Sequence, residues 1–367
     1  MNAGYVELLL RLIVDRDGSD LHLKPGSPPK IRVDGELREI PDAPELTPQE
    51  IDALADHLLT PLARRQFEEM FDADFAYAVE GVGRFRVSVF RQRGSSAVVI
   101  RRVAATASPP QELGLPEMVA RLADLERGLV VVAGPTGAGK STTLAAMIHH
   151  INRTRNVNVV TLEDPVEFLH EDIKASVSQR EVGGDVVSFA RGLRAVLRQD
   201  PDVIMVGEVR DTETVAACLS AAESGHLVLT SLHTIDAAET VNRMMDLFPS
   251  DQRHQARVSL AATLRGTIAQ RLVPAVGGGR LPVCEVMVTT GRVQKCILEA
   301  DRTHLLLDLI EDGAYYGMTS FDEHLCSLVS AGRVEWGEAM RVATRPDELK
   351  IKMRAVGLEE PTPSSYP

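Results

Sequence analysis

The sequence has no paired cysteines. Its four, Cys218, Cys284, Cys296 and Cys326, stand alone with no C-x-x-C spacing, which leaves neither a zinc-site pattern nor a disulfide framework and points to a reducing compartment. Aromatic residues are scarce at 4%, with a single Trp, and basic residues are outnumbered, 40 Lys plus Arg against 52 Asp plus Glu for a net charge of −12. A protein that wraps or tracks nucleic acid by charge and base stacking is thereby disfavoured, although a local basic patch is not. No apolar run reaches the length of about 18 residues that spans a bilayer. The opening MNAGYVELLLRLIVDRDGSD has no basic stretch ahead of its short apolar segment and does not read as a secretory signal. The expected location is cytoplasmic, with no direct membrane insertion and no nucleic acid partner.

What is present is ordinary for a folded chain. Apolar types make up 44% and charged types 25% of 367 residues, enough for more than one hydrophobic core. Val6 to Val14 is helix-compatible, Asp34-Gly35 is a hairpin signal, and Thr47-Pro48-Gln49-Glu50 opens a helix with Thr47 as N-cap and Pro48 at its first position. Residues 74–101 alternate as strands. These features predict an α+β domain over 1–103. ATASPPQELGLP then loses periodicity, so 104–115 reads as a linker. Beyond it, buried apolar runs at Leu129–Ala133, Val157–Leu162, Val203–Val206 and Leu227–Leu232 alternate with helical stretches. That order predicts an α/β domain over 116–350 with a parallel sheet covered on both faces. Its C-terminal portion reads as helical, with candidates at 251–269, 303–311, 320–330 and 335–343. The polar, Pro-rich end suggests a disordered tail over 351–367.

Gly134-Pro135-Thr136-Gly137-Ala138-Gly139-Lys140-Ser141 satisfies G-x-x-x-x-G-K-[ST] between the strand LVVVA and the helical stretch STTLAAMIHH. Glycines let such a loop curl so that its N–H groups face phosphate oxygens, and the following helix N-terminus adds a favourable dipole. Lys140 would reach the β and γ phosphates, and Ser141 would offer its hydroxyl to Mg²⁺.

Hydrolysis also needs a group to orient water. Glu163 and Asp164 end one buried run, and Glu208 follows another after Gly207. Acids there lie where ligands bind in open parallel sheets. Glu163 and Glu208 read as functional, whereas Asp211 reads more readily as the cap of the helix that follows, and Asp164 before Pro165 is open to the same explanation. His233, at the end of the strand that begins after His226, could sense the γ-phosphate or be structural. In the first domain Arg84 and Arg86 share one strand face, against Phe85 and Val87 on the other. They are either a solvated basic face or arginine fingers supplied by a neighbouring domain or subunit.

Taken together, SDLHLKPGSPPKIRVDGEL, GRFRVSVFRQRG, GPTGAGKSTT, TLEDPVEF, VSQREVG, LRQDPDVIMVGEVRD and GHLVLTSLHT resemble the type II/IV secretion ATPase superfamily, and most of all its PilT-like branch of type IV pilus retraction ATPases. The resemblance covers nearly the whole chain. It implies a PAS-like N-terminal domain, a RecA-like P-loop ATPase domain, and a ring homo-hexamer with ATP and Mg²⁺ at subunit interfaces. By the same resemblance Glu208 is the catalytic glutamate, Glu163 and Asp164 help with water and Mg²⁺, Thr142 completes the phosphate loop, His226 and His233 form a histidine box, and Arg84 and Arg86 act across a junction. Hydrolysis would rotate the domains relative to each other, and that motion would act on an inner-membrane pilus platform protein, which makes the expected location peripheral to the inner membrane.

Assembly and type II secretion enzymes of this superfamily carry a tetracysteine segment and a longer N-terminal region, and this sequence has neither. Retraction enzymes carry A-I-R-N-L-I-R-E-G-K where this chain reads GRVQKCILEADRTH, with charge kept at Arg292, Lys295 and Glu299. A principal motor and an accessory paralogue of the PilU kind, working with another retraction ATPase, both fit. A scaffold that binds ATP without turnover is the reading from a different class, and it would be expected to lack Lys140, Glu163 or Glu208.

Overall fold

The structure, a computed structural model, describes residues 3–33, 35–103 and 107–360. The chain divides into two compact units, Met1–Thr106 with Pro165–Leu169, and Ala107–Asp164 with His170–Pro367.

The first unit runs α1 (Ala3–Asp15), β1 (Asp20–Leu23), β2 (Lys30–Val33), β3 (Glu36–Glu39), α2 (Pro48–Leu58), α3 (Pro61–Met70), β4 (Asp72–Val79), β5 (Gly83–Gln92) and β6 (Ser95–Arg102). Its six strands form an antiparallel sheet in the order β3-β2-β1-β6-β5-β4. Alternation along β5 decides which face is core: Phe85, Val87 and Val89 are buried, and with Leu10, Ile13, Ile51 and Leu54 they pack helices onto one side of the sheet. Both polar ends of the predicted α2 start are in use. Thr47 Oγ1 accepts from the Glu50 N–H, and the Glu50 carboxylate accepts from the Thr47 N–H at 2.8 Å, a reciprocal cap with Pro48 just inside the helix. Between β2 and β3 Gly35 takes a φ of 81°, as the hairpin requires, while Asp34 lies outside the described residues.

The second unit opens with α4 (Glu117–Ala123), β7 (Gly128–Ala133), α5 (Lys140–Thr154), β8 (Asn158–Glu163), β9 (Ser176–Glu181), α6 (Phe189–Val196), β10 (Val203–Val206), α7 (Thr212–Glu223), β11 (Leu227–Leu232) and α8 (Ala237–Asp246). It continues with α9 (Arg253–Thr263), β12 (Leu264–Pro274), β13 (Arg280–Val288), α10 (Gly291–Leu298), α11 (Leu306–Glu311), α12 (Phe321–Ser330), α13 (Trp336–Val342) and α14 (Pro346–Ala355). The sheet order is β13-β12-β7-β11-β10-β8-β9, parallel throughout except for the β12–β13 pair. Leu129 and Val131 of β7 face one apolar cluster and Val130 and Val132 face another, so helices cover both sides, as the continuous apolar runs predict. All four cysteines are buried and free, and burial pushes the Cys218 thiol up to about 12.

Three expectations need correction. The helix predicted over 251–269 ends at Thr263, and the chain turns directly into β12, whose residues are buried on both faces. An apolar run without alternation has no period to tell strand from helix. Here Gly266 marks the difference, since a Cβ there would fall 2.8 Å from the Leu122 side chain. The C-terminal portion is therefore helical at α9 and again only after the β12–β13 hairpin. The predicted tail also begins later, because α14 continues to Ala355 with Leu349 and Met353 buried among the C-terminal helices. Residues 104–106 of the predicted linker and 361–367 of the predicted tail lie outside the described residues.

Candidate functional site

Four parallel strands of the second unit end along one edge. Leu232 of β11 pairs with Ala133 of β7, and Val206 of β10 pairs with both Thr230 of β11 and Leu162 of β8. The register places the Gly134–Gly139 loop, His233, Glu208 and Glu163 at the carboxyl ends of adjacent strands.

The loop is built by glycine. Gly134, Gly137 and Gly139 take φ values of 154°, 80° and 89°, which residues with a Cβ rarely adopt, and α5 starts at Lys140 straight after them. Pro135, Thr136, Gly137 and Ser141 are exposed, Gly139 and Thr142 are partly so, and Ala138 is buried beneath the loop. Lys140 is 8% exposed. Its ammonium donates to the Gly134 and Pro135 carbonyls at 2.8 and 3.1 Å and lies 3.3 Å from His233 Nδ1.

His233 Nε2 in turn stands 3.4 Å from Glu208 Oε2, and Arg210 reaches Glu208 Oε1 at 2.6 Å. Lysine, histidine, glutamate and arginine form one chain across the crevice. Gly207 keeps this turn close to β8 and β11: its N–H donates to the Leu162 carbonyl at 2.8 Å, and the Gly207 carbonyl accepts from the Ser231 hydroxyl at 2.6 Å. Glu163 is buried, with Oε1 accepting from Thr161 Oγ1 at 2.6 Å and Gln179 Nε2 at 3.0 Å. Two donors hold that carboxylate in one orientation. Asp164 is exposed in the bend beyond β8.

Three predicted site residues lie on other elements. His226 precedes β11, where its carbonyl accepts from the N–H of Gly128 at the start of β7 and its ring Nδ1 lies 2.9 Å from the Ala221 carbonyl. Six strand residues separate that end from the loop, about 20 Å at strand rise, so within this unit His226 does not join the crevice and the histidine box contributes only His233. Arg84 and Arg86 lie on β5 of the first unit, Arg86 exposed and 3.9 Å from Asp74. Asp211 caps α7, accepting from the Thr214 N–H at 2.8 Å.

Arg210, Gln179 and Gln270 join these contacts without a role that the sequence patterns predict. Gln179 stands within a quoted motif, which was the available signal. Gln270 had none, because it follows a stretch expected to be helix.

The donor set fits a nucleotide phosphate group with Mg²⁺. The loop's positive-φ glycines leave its rim open, Lys140 is held at its base, and the Ser141 hydroxyl is exposed at the helix N-terminus. Among the described residues no group of three or more His, Cys, Asp or Glu could hold a metal by itself. A cation here would use the hydroxyl, phosphate oxygens and water, as Mg²⁺ commonly does at nucleotide sites.

Residues 9–296 match the family model described as Type II/IV secretion system protein. The chain belongs to that family. The type IV pilus retraction ATPase PilT of Pseudomonas aeruginosa is 42% identical over 341 residues, 93% of this chain and 98% of PilT. The type IV pilus ATPase PilU of the same organism is 38% identical over 349 residues, 95% of this chain and 91% of PilU. A crystal structure of the pilus retraction motor PilT with bound ADP superposes with a TM-score of 0.84 at 41% identity, covering 93% of this chain and 98% of that one. As in that family, the architecture is an N-terminal α+β domain followed by a RecA-like ATPase domain. No helix among the described residues is long and apolar enough to cross a membrane.

Proposed function

We propose that this chain is the ATP-hydrolysing subunit of a motor that drives type IV pilus retraction. The observation that carries the reading is the shared strand edge: Lys140, His233 and Glu208 are linked in one chain beside the phosphate loop, on a chain 42% identical to a retraction ATPase over nearly its whole length.

The N–H groups of the loop and of the first turn of α5 would hold the phosphates, and Lys140 would exchange its carbonyl partners for phosphate oxygens. Ser141 would hold Mg²⁺, with Asp164 acting through water; the cation supplies neutralisation of charge on the phosphates. Glu208 orients the attacking water and accepts its proton. His233, between Lys140 and Glu208, reports at the carboxylate where the ammonium stands, and Glu163, pinned by Thr161 and Gln179, holds a carboxyl group in fixed orientation at the crevice wall, where it helps to place water. Arg84 and Arg86 are assigned to neutralising γ-phosphate charge from a neighbouring domain or subunit of a homo-hexamer. Hydrolysis then rotates the domains relative to each other, and that motion acts on a pilus platform protein at the cytoplasmic face of the inner membrane.

An accessory role beside a second retraction ATPase is the alternative, favoured by the altered sequence of α10 and the 38% identity to PilU. ATP hydrolysis by the purified chain, with its mass measured in the presence and absence of Mg-ATP, separates the two. A hexamer that turns over ATP alone supports the principal motor, and one that binds ATP but barely hydrolyses it supports the accessory role. Lys140→Ala should abolish ATP binding. Glu208→Gln should bind ATP and hydrolyse it roughly a hundredfold more slowly or worse, the usual loss for a positioned general base. Hydrolysis by Glu208→Gln at the wild-type rate would show that another group handles the water.

A further inference from the structure

Gln270 lies on β12, the strand beside the one that feeds the phosphate loop, with its neighbour Ala269 paired to Ala133. It is 2% exposed. A buried primary amide is unfavourable unless both of its ends are bonded, and both are. Nε2 donates to the Ala138 carbonyl at 2.7 Å, and Oε1 accepts from Thr143 Oγ1 at 2.7 Å. Ala138 belongs to the loop and Thr143 to the first turn of α5, so one side chain brackets the point at which loop becomes helix. The main chain of the same residue fits the loop's other end. A Cβ on Gly134 would stand 2.7 Å from the Gln270 carbonyl oxygen, and a Cβ on Gly139 would stand 2.7 Å from Gln270 Nε2. The loop glycines therefore make room for Gln270 as well as for phosphate. Gln270 also lines, with Thr142, Leu272 and Arg280, a cavity of about 360 Å³ beside the loop.

We propose that Gln270 is a positioning residue for nucleotide, one that holds the Gly134–Thr143 segment in its phosphate-binding shape before nucleotide arrives. Binding to a loop already in shape does not lose the conformational freedom that ordering it would consume. The inference rests on the reading of this segment as an ATP site. It assigns the effect of Gln270 to binding rather than to chemistry. The Michaelis constant for ATP and the dissociation constant for ADP should both depend on this residue, while turnover, which depends on Glu208, should not.

The test uses the full chain. Gln270→Met keeps length and apolar volume and removes both hydrogen bonds. It should raise KM for Mg-ATP and Kd for a fluorescent ADP analogue about tenfold or more each, since one lost hydrogen bond spans up to roughly tenfold and two are lost, with kcat within twofold of wild type. Thr143→Val should weaken both in the same direction, and adding it to Gln270→Met should weaken neither further, because the two changes remove one bracket. If Gln270→Met does not fold, Thr143→Val carries the same measurement. KM and Kd both within twofold of wild type in the folded variant, or a loss confined to kcat, would overturn the role of Gln270. Wild-type protein that binds no ADP would refute the ATP-site reading itself, and the role of Gln270 with it.

Discussion

Glu285, on β13, is the most informative residue for stability. It is 3% exposed, its Oε1 accepts from the Ala237 N–H at the start of α8 at 2.9 Å, and burial raises its pKa from 4.5 to about 7. Desolvation dominates over the Ala237 hydrogen bond, which favours the charged form. Asp236 and Asp322 add to the rise and Arg271 opposes it. The folded protein thus holds this proton more tightly than the unfolded chain does. The resulting stability is fully present below about pH 4.5 and is lost as pH rises through about 7. At 1.36 kcal/mol per unit, the difference amounts to about 3 kcal/mol. Glu285→Gln keeps the acceptor for Ala237 without the titration. It should lie within about 1 kcal/mol of wild type near pH 5 and be more stable near pH 8, raising Tm there by roughly 6 to 12 °C at 2–4 °C per kcal/mol. Thermal unfolding of both proteins from pH 5 to 8, followed by circular dichroism, measures the gap. A Tm difference that stays constant across that range would show that Glu285 is ionised in the folded protein throughout, and the reasoning would fail.

Other changes act at single, named contacts. Asp211→Ala removes the cap of α7 and should destabilise the second unit by about 1 kcal/mol, visible in urea unfolding and leaving KM for ATP unchanged. Gly139→Ala asks alanine to adopt a φ of 89° and to stand against a Gln270 amide fixed by two hydrogen bonds. It should weaken ATP binding about tenfold or more in equilibrium titration, since a left-handed residue with a Cβ is unfavourable by roughly 1–2 kcal/mol before any clash. Phe85→Ala empties a fully buried position under β5 and should cost about 3–5 kcal/mol in the first unit, read as a lower unfolding midpoint.

Much of this molecule was legible where a local rule and the global fold agree. The Thr47–Glu50 cap, the alternation of β5 and the apolar runs of β7, β8, β10 and β11 each carry a period or a terminal signal that survives packing. The phosphate loop was legible for a stronger reason, as its glycines, lysine and serine are set by backbone geometry and charge within eight residues. Legibility failed where partners are far apart in sequence. Gln270 meets Ala138 and Thr143 only because β12 inserts beside β7, and nothing within the stretch around it has a period that says strand. His226 shows a different limit: a motif keeps residues together in order, but within one unit a strand carries its two ends about 20 Å apart. Strand β9 is an edge with few buried residues, so it left no apolar run to read.

The burial of every cysteine has a practical consequence. Reactivity belongs to the thiolate, and it needs access to solvent as well as a proton lost. With Cys218 and Cys284 fully enclosed, Cys296 and Cys326 only 7% and 9% exposed, and the Cys218 proton held to about pH 12, the native chain presents little reactive thiol to maleimides and mild oxidants. One cysteine introduced at an exposed position in each unit would then take a spectroscopic label with little competition, without first stripping the four native thiols from the core. The distance between two such labels, followed through nucleotide addition and exhaustion, would report motion of a molecule whose core is unaltered.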